Sequence, residues 1–291
     1  MLNTHIKTIK NNLSDINTLL VNLQINNTIK KKIIAFSLWG KLNLYCIGAI
    51  KNAILAKKYF KDWICRYYYD ETVPLDIINF LNKLSNVELV FIPQKSGAIK
   101  FQENGQFGLF WRFYPFNDND VEIWLARDTD SRLSPYEKHM IDKFIQSNKI
   151  IHSFKDNNEP LLRGGMIAFK NFNGLIDNRI INNKKLDFFK LINNIPKENT
   201  HFYADEKFLN NVLYPLFKNF YCSNTRNDST ISFPKYCGPY VGAVVDDDDN
   251  HYNKFNETVE INNKWTSKKH KNIMLNDYFF HYSKILDISY S

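Results

Sequence analysis

The sequence predicts a mixed α/β domain built on a mostly parallel central sheet flanked by helices. Three observations carry this. Short apolar runs of strand length alternate with segments of helical spacing over residues 32–92. A further apolar run, 121–126, leads without a break into an acidic turn and then into a clear helix start. The 291 residues are 44% hydrophobic and 15% aromatic, enough to bury a sizeable core in one large domain or two small ones.

Taken in order, residues 1–30 read as an N-terminal amphipathic helix, with Ile6, Ile9, Leu13, Ile16, Leu19, Leu20 and Leu23 at helical spacing. The main domain spans 31–245. A first buried strand over 32–38 ends at Trp39-Gly40, and a helix over 43–58 follows, marked by Ile47, Ile50, Ile54 and Leu55. A second strand, 63–69, closes on Asp70. A helix over 75–84 starts after Pro74, and a third strand, 87–92, is stopped by Pro93. Residues 94–106 read as a loop, and the aromatic stretch 108–116 as a helix turning under the sheet. Its rings (Phe107, Phe110, Trp111, Phe113, Tyr114, Phe116) are mostly core material.

The strand at 121–126 precedes a helix over 135–147 whose start is written as Ser134 at the cap, Pro135 at the first helical position and Glu137 at the third. A short strand at 149–152, a turn at Arg163-Gly164-Gly165-Met166 feeding a strand at 167–169, and helices over 184–194 and 204–214 complete the readable order. The second of these helices ends near Pro215. Past residue 220 no pattern stands out. Residues 246–291 form a C-terminal extension whose acidic run, 246–249, and basic run, 268–271, read as solvated loops.

Charged residues make up 23% of the chain, so disorder is not the default reading, and the formal net charge is +8. A basic surface suits an anionic partner, whether nucleic acid, membrane or a diphosphate. Without zinc-finger spacing or a domain-sized arginine cluster, a nucleic-acid binder is not expected. Cys46, Cys65, Cys222 and Cys237 form no C-x-x-C pair and sit in or beside apolar runs, which suits buried thiols in a reducing compartment. No signal-type stretch opens the chain, and no window approaches the ~18 apolar residues of a membrane span. The expectation is a soluble, cytoplasmic protein.

The chemistry concentrates where the 121–126 strand ends, at Arg127-Asp128-Thr129-Asp130-Ser131-Arg132. In open α/β sheets ligands collect outside the carboxyl ends of strands. Once the strand opens into a turn, Asp128 and Asp130 converge on one point. Hard oxygen ligands there suit Mn2+ or Mg2+, with a substrate diphosphate and water completing the shell. Arg127 and Arg132 either hold phosphate oxygens in forked geometry or balance the neighbouring carboxylates.

These blocks, in their order, resemble the GT-A-type glycosyltransferases of bacteria and large DNA viruses that carry an R-D-x-D-S-R segment. Arg127 to Arg132 matches that segment. Phe36 to Gly40 with Tyr45 and Gly48-Ala49-Ile50-Lys51-Asn52, Asp62 to Asp70, and Trp111-Arg112-Phe113 resemble the elements before it. His152, Asp156, Gly164-Gly165-Met166, Tyr203-Ala204-Asp205-Glu206-Lys207-Phe208-Leu209 with Tyr214-Pro215, and Tyr240-Val241-Gly242 resemble those after it. The chain departs from the pattern at Glu206, where glutamine is expected, and at Phe220 to Asn224, where a His-Asp pair is expected.

The resemblance implies a Rossmann-like GT-A fold, a nucleotide-diphosphate sugar donor (a UDP- or GDP-sugar), a glycan or glycoprotein acceptor, and a divalent metal at Asp128 and Asp130. If the chain is viral, its place is the host cytoplasm. By position, Trp39 and Gly40 approach the nucleotide, and Tyr69 and Asp70 contact base or ribose. Arg112 takes diphosphate or ribose, or else an ion pair between helix and loop. Gly164 and Gly165 admit backbone close to donor sugar or acceptor, or form an ordinary tight turn. Asp205 is the general base, a holder of the donor sugar, or a helix cap. His152 touches substrate or is a structural group at a strand end. Two other classes stay open: a nucleotide- or glycan-binding module without turnover, and a metal-dependent sugar nucleotidyltransferase.

Overall fold

The computed structural model describes residues 30–93, 108–155, 162–193, 204–225 and 241. The expected helix before residue 30, the loop over 94–106, Cys237 and the extension from 246 lie outside them.

The first half alternates as expected: β1 (Lys31–Leu38), α1 (Asn43–Tyr59), β2 (Trp63–Tyr69), α2 (Leu75–Leu81) and β3 (Val87–Phe91), with β1–β2 and β2–β3 parallel. The 3.3–3.4 Å rise of a strand puts neighbouring side chains on opposite faces. Ile33, Ile34, Ala35 and Phe36 all have 0% exposure, so β1 is covered on both sides, as a central parallel strand must be. Helix α1 is buried over most of its surface, including Cys46, Gly48, Ala49, Asn52, Ala53 and Ala56. Small residues let it lie close to its neighbours, and the Tyr67 hydroxyl donates to Ala49 O at 2.6 Å.

The stretch at 108–116 is not one helix. It divides into α3 (Gly108–Trp111) and a 3₁₀ turn, Tyr114–Asn117. Pro115 explains the break, since its ring clashes with the carbonyl four residues back and it has no N–H to give. The rings gather as expected: Phe110, Trp111, Phe113 and Phe116 are buried, and Phe113 meets Trp124 and Phe188 at centroid distances of 6.2 and 5.9 Å. Burying one such side chain is worth about 1.5–3 kcal/mol.

Strand β4 (Val121–Arg127) pairs in parallel with β1, and α4 (Pro135–Gln146) follows it. Its cap forms as read, with Ser134 Oγ accepting from Glu137 N at 3.1 Å. Then the order changes. Strand β5 (Ile151–Lys155) starts two residues later than expected, because Ser147 Oγ holds Lys149 N in a turn at 3.2 Å. Strand β6 (Met166–Lys170) inserts between β5 and β4, antiparallel to both.

Two small hairpins come next: β7 (Phe172–Asn173) with β8 (Ile176–Asp177), and β9 (Ile180–Ile181) with β10 (Lys184–Lys185). Asn182 and Asn183 have φ of 50° and 60°, the left-handed pair that closes a two-residue hairpin. The helix expected from 184 therefore begins only at Phe188, as α5 (Phe188–Asn193). Helix α6 (Ala204–Phe208) runs on through a widened turn, Leu209–Leu213, into α7 (Tyr214–Phe217). Pro215 thus sits at the start of a new helical segment instead of ending the old one; the wide turn accommodates its missing N–H.

Beyond 220, where the sequence showed no pattern, β11 (Tyr221–Thr225) pairs in parallel with β5. The finished sheet has seven strands in the order β11-β5-β6-β4-β1-β2-β3. Among the described residues no helix is long and apolar enough to cross a membrane. Cys46 and Cys65 are buried free thiols, as expected, and Cys222 is half-buried.

Candidate functional site

The chain moves outward from β1 in two directions, to β2 and β3 on one side and to β4 on the other. In open α/β sheets the crevice that takes a ligand lies where this direction reverses, outside the carboxyl ends of the strands, which here are β1 and β4. Trp39 and Gly40 leave β1 there, and Asp128 and Asp130 leave β4. Because β6 is antiparallel, it begins at this same edge, and Gly164 and Gly165 stand at its entrance. Helices α3 and α6 bring Arg112 and Asp205.

Arg112 joins the pieces. Its Nη1 donates to Asp128 Oδ1 and its Nη2 to Asp205 Oδ2, the latter at 2.6 Å. Arg112 and Asp205 are buried, whereas the Asp128 side chain is 41% exposed. The two glycines are where they are because side chains would not fit. A Cβ on Gly164 would overlap the Asp205 carboxylate and the Arg112 guanidinium, and one on Gly165 would overlap the Asp128 carboxylate.

Asp130 is only 6% exposed. Burial first, and the neighbouring Asp128 charge second, push its carboxyl up to about 7, while Arg132 and Arg112 pull it partway back. Arg132 folds onto its own turn, with Nη1 donating to Thr129 O at 3.1 Å and Ser131 O at 3.0 Å. Trp39 lies edge-on to Trp111 at 6.0 Å and covers Gly108, where a Cβ would meet its ring. Gly40 has φ of +74°, and its N–H donates to Thr72 Oγ1 at 2.6 Å.

Three residues on the sequence's substrate-binding set have other work. Arg127 is 1% exposed; its Nε donates to Glu137 Oε1 and its Nη1 to Ala126 O at 2.7 Å and Gly165 O at 3.1 Å. Its guanidinium braces α4 and the entrance of β6. Asp70, 2% exposed, accepts from Thr72 N at 2.9 Å and from Thr72 Oγ1, so it ties the loop after β2 to Gly40. Tyr69, half-buried at the end of β2, packs edge-on to Phe91 at 5.5 Å.

His152 is buried on β5, with Nε2 2.6 Å from Asn224 Oδ1 and its ring against Phe144 and Phe154. Burial lowers its pKa to about 4, although the Asn224 contact opposes the shift. The sign follows. Below the unfolded value near 6.5 the unfolded chain binds a proton that the native ring refuses, so stability is complete above 6.5 and drains away as pH falls through 4. Asp130 acts with the opposite sign in the same window, so the His152 part is read against His152→Gln. In urea unfolding at pH 7 and pH 4.5, wild type is expected to lose about 2 kcal/mol more than the variant. Equal losses would rule out a buried neutral imidazole.

A divalent cation fits the donor set. Two carboxylates stand close enough that one raises the other's pKa, which a cation relieves, and the bare Gly165 leaves the Asp128 carboxylate room. Among the described residues no group of three His, Cys, Asp or Glu side chains forms a complete cage, so the other ligands would be substrate oxygens and water. Sequence reasoning gave no role to Tyr45, whose hydroxyl pKa is raised by burial and then by Asp130 and Asp128. It also gave none to Glu206, whose carboxyl is raised by burial and then by Asp205, against Arg163 and Arg112. Both lie within quoted segments, but nothing in a linear pattern says that they face the carboxylates.

No family model matches the chain, and no curated protein does. Among solved structures it is similar to the galactosyltransferase LgtC in complex with donor and acceptor sugar analogues, at 14% identity and a TM-score of 0.43, over 67% of this chain and 72% of that one. It is similar to a mannosyltransferase from Pyrobaculum calidifontis in complex with GDP-Man and Mn2+, at 10% identity and a TM-score of 0.42, over 70% of this chain and 56% of that one. It is also similar to a 4-diphosphocytidyl-2C-methyl-D-erythritol synthase from Anaerococcus prevotii, at 11% identity and a TM-score of 0.37, over 70% of this chain and 90% of that one. These are likenesses of chain path and go no further.

Proposed function

We propose that the chain transfers a sugar from a UDP- or GDP-sugar to a glycan or glycoprotein acceptor, assisted by Mn2+ or Mg2+ held at Asp128 and Asp130. The observation that carries the reading is the pair of carboxylates at the carboxyl end of β4, in the crevice beside β1, with Arg112 bridging one of them to Asp205. When bound, the cation would supply positive charge against the departing diphosphate. Arg112 and Arg132 add fixed positive charge at the same place, pre-oriented so that little reorganisation is needed as charge develops. Trp39 and Gly40 line the nucleotide side, and Gly164 and Gly165 leave room for the donor sugar between the carboxylates and the start of β6.

Asp205 takes a different part from a general base. It is 3% exposed and its Oδ2 accepts from Arg112, which supports a positioning role over that of a base for an acceptor hydroxyl. Its role is to aim the guanidinium. Arg127 and Asp70 act one step further back, by fixing the Gly165 and Gly40 backbones.

The test is a thermal-shift panel of nucleoside diphosphates and their sugars with and without Mn2+. A ligand that binds only the native state raises the melting temperature by mass action, by about 2.7 kcal/mol of stability at a hundredfold excess over its Kd. A shift that needs Mn2+ and vanishes in Asp130→Ala is the expected result. No shift with any nucleotide on folded protein would sink the reading. A second reading, a nucleotide-binding module without turnover, is favoured by the Arg112 fork, which already gives Asp128 and Asp205 a cation. It predicts a nucleotide shift that is indifferent to Mn2+, and no donor hydrolysis.

A further inference from the structure

The turn that carries the two carboxylates is anchored from outside by α1. Asn52, 1% exposed on α1, makes three hydrogen bonds to that turn. Its Nδ2 donates to Ser131 O at 2.8 Å and to Thr129 O at 3.3 Å, and its Oδ1 accepts from Leu133 N at 3.0 Å. One helical turn earlier on the same face stands Gly48. A Cβ there would overlap the Thr129 carbonyl, and lie 3.2 Å from Arg132 Nη1.

We infer that Gly48 and Asn52 form a seat on α1 that positions Asp128 and Asp130. The Thr129 carbonyl held by Asn52 lies in the peptide plane that joins Thr129 to Asp130, and the Asp128 carbonyl, in the plane before it, is held by Ser131 Oγ at 2.9 Å from the stretch that Asn52 anchors. Those planes set the directions in which both carboxylates leave the backbone. Three features make the seat specific. It captures carbonyls at i and i+2 and an N–H at i+4 with one planar amide, which a hydroxyl or a charged group cannot do. The amide is fully buried, so no water substitutes for it without a cavity. And Gly48 brings the helix to the turn at backbone distance. The turn's own bonds, Ser131 Oγ to Asp128 O at 2.9 Å and Arg132 to its carbonyls, shape it internally but do not tie it to the sheet.

The inference rests on the metal reading proposed above, and two measurements keep them apart. Asn52→Ala is compared with Asn86→Ala, which removes a bond from Asn86 Nδ2 to Ala53 O (2.8 Å) on the same helix but away from the turn. The first measurement is amide hydrogen exchange without metal. Exchange over residues 128–133 is expected to speed up at least tenfold in Asn52→Ala and to stay at the wild-type rate in Asn86→Ala. The second is Mn2+ titration by calorimetry in the presence of a nucleoside diphosphate, where Asn52→Ala is expected to weaken Mn2+ about tenfold while Asn86→Ala binds as wild type. Unchanged exchange in Asn52→Ala, or an equal rise in both variants, overturns the seat. If wild-type protein binds no Mn2+, the metal reading falls and the exchange result alone decides the seat.

Discussion

Glu137→Ala is expected to destabilise the protein by about 3–5 kcal/mol, the cost of leaving a buried charge without its partner. Arg127 and Glu137 are each 1% exposed at the side chain, and neither can move to water without opening the packing between β4, α4 and β6. The pair is already imperfect: among the described residues Arg127 Nη2 and Glu137 Oε2 have no hydrogen-bond partner. Burial also raises the Glu137 carboxyl despite the adjacent guanidinium. Removing both charges together, in Arg127→Met/Glu137→Leu, is expected to recover most of the loss, since well-packed apolar groups replace buried ion pairs at little cost. Denaturant unfolding of the single and double variants checks this. A single variant as stable as wild type would mean that the pair is hydrated.

Arg112→Leu is expected to lower donor turnover by about 10²–10³-fold, the usual consequence of removing one fixed charge-stabilising group. The substitution leaves Asp128 and Asp205 facing one another without a cation and opens space against Gly164. Arg112→Lys separates charge from geometry. An ammonium is a point charge and cannot span two carboxylates from one plane, so Lys is expected to keep the fold while losing most of the turnover. Initial rates of donor hydrolysis and melting temperatures, measured on the same preparations, give the comparison. Wild-type turnover in Arg112→Leu would remove the fork from the mechanism.

What the sequence shows plainly is local. Ile33 to Phe36 read as a buried strand because four consecutive apolar residues have no other comfortable place. Asp128 and Asp130 stand out because two carboxylates follow an apolar run. The Ser134 cap is written in three positions. What it hides is pairing between distant segments. Arg112 lies 93 residues from Asp205, and no periodicity links them. Arg127 looks like a phosphate ligand because a flanking arginine usually is free; only the fold shows Glu137 opposite it, the same Glu137 that the cap pattern had already used. Strand β11 is invisible because Tyr221-Cys222-Ser223-Asn224-Thr225 lacks an apolar alternation, and it is held by backbone pairing with β5. The hairpins at 172–185 escape for a related reason: strands of two residues carry no period at all.

The reversed strand β6 has a consequence for how this crevice can change. In a wholly parallel sheet every segment at the carboxyl edge is an exit from a strand, tied on its far side to a helix that must return the chain. Here β6 runs antiparallel to β5 and to β4, so β5 ends and β6 begins at the same edge. Lengthening such a connection costs only a few tenths of a kcal/mol per added residue or less. One wall of the crevice, carried by β1 and β4, is locked by α1 and by strand register. The start of β6 is reached through the ten residues that separate β5 from β6 in the chain, a length that is thermodynamically cheap to alter, so on the proposed reading the opening could be reshaped for a different acceptor while the carboxylates stay where they are.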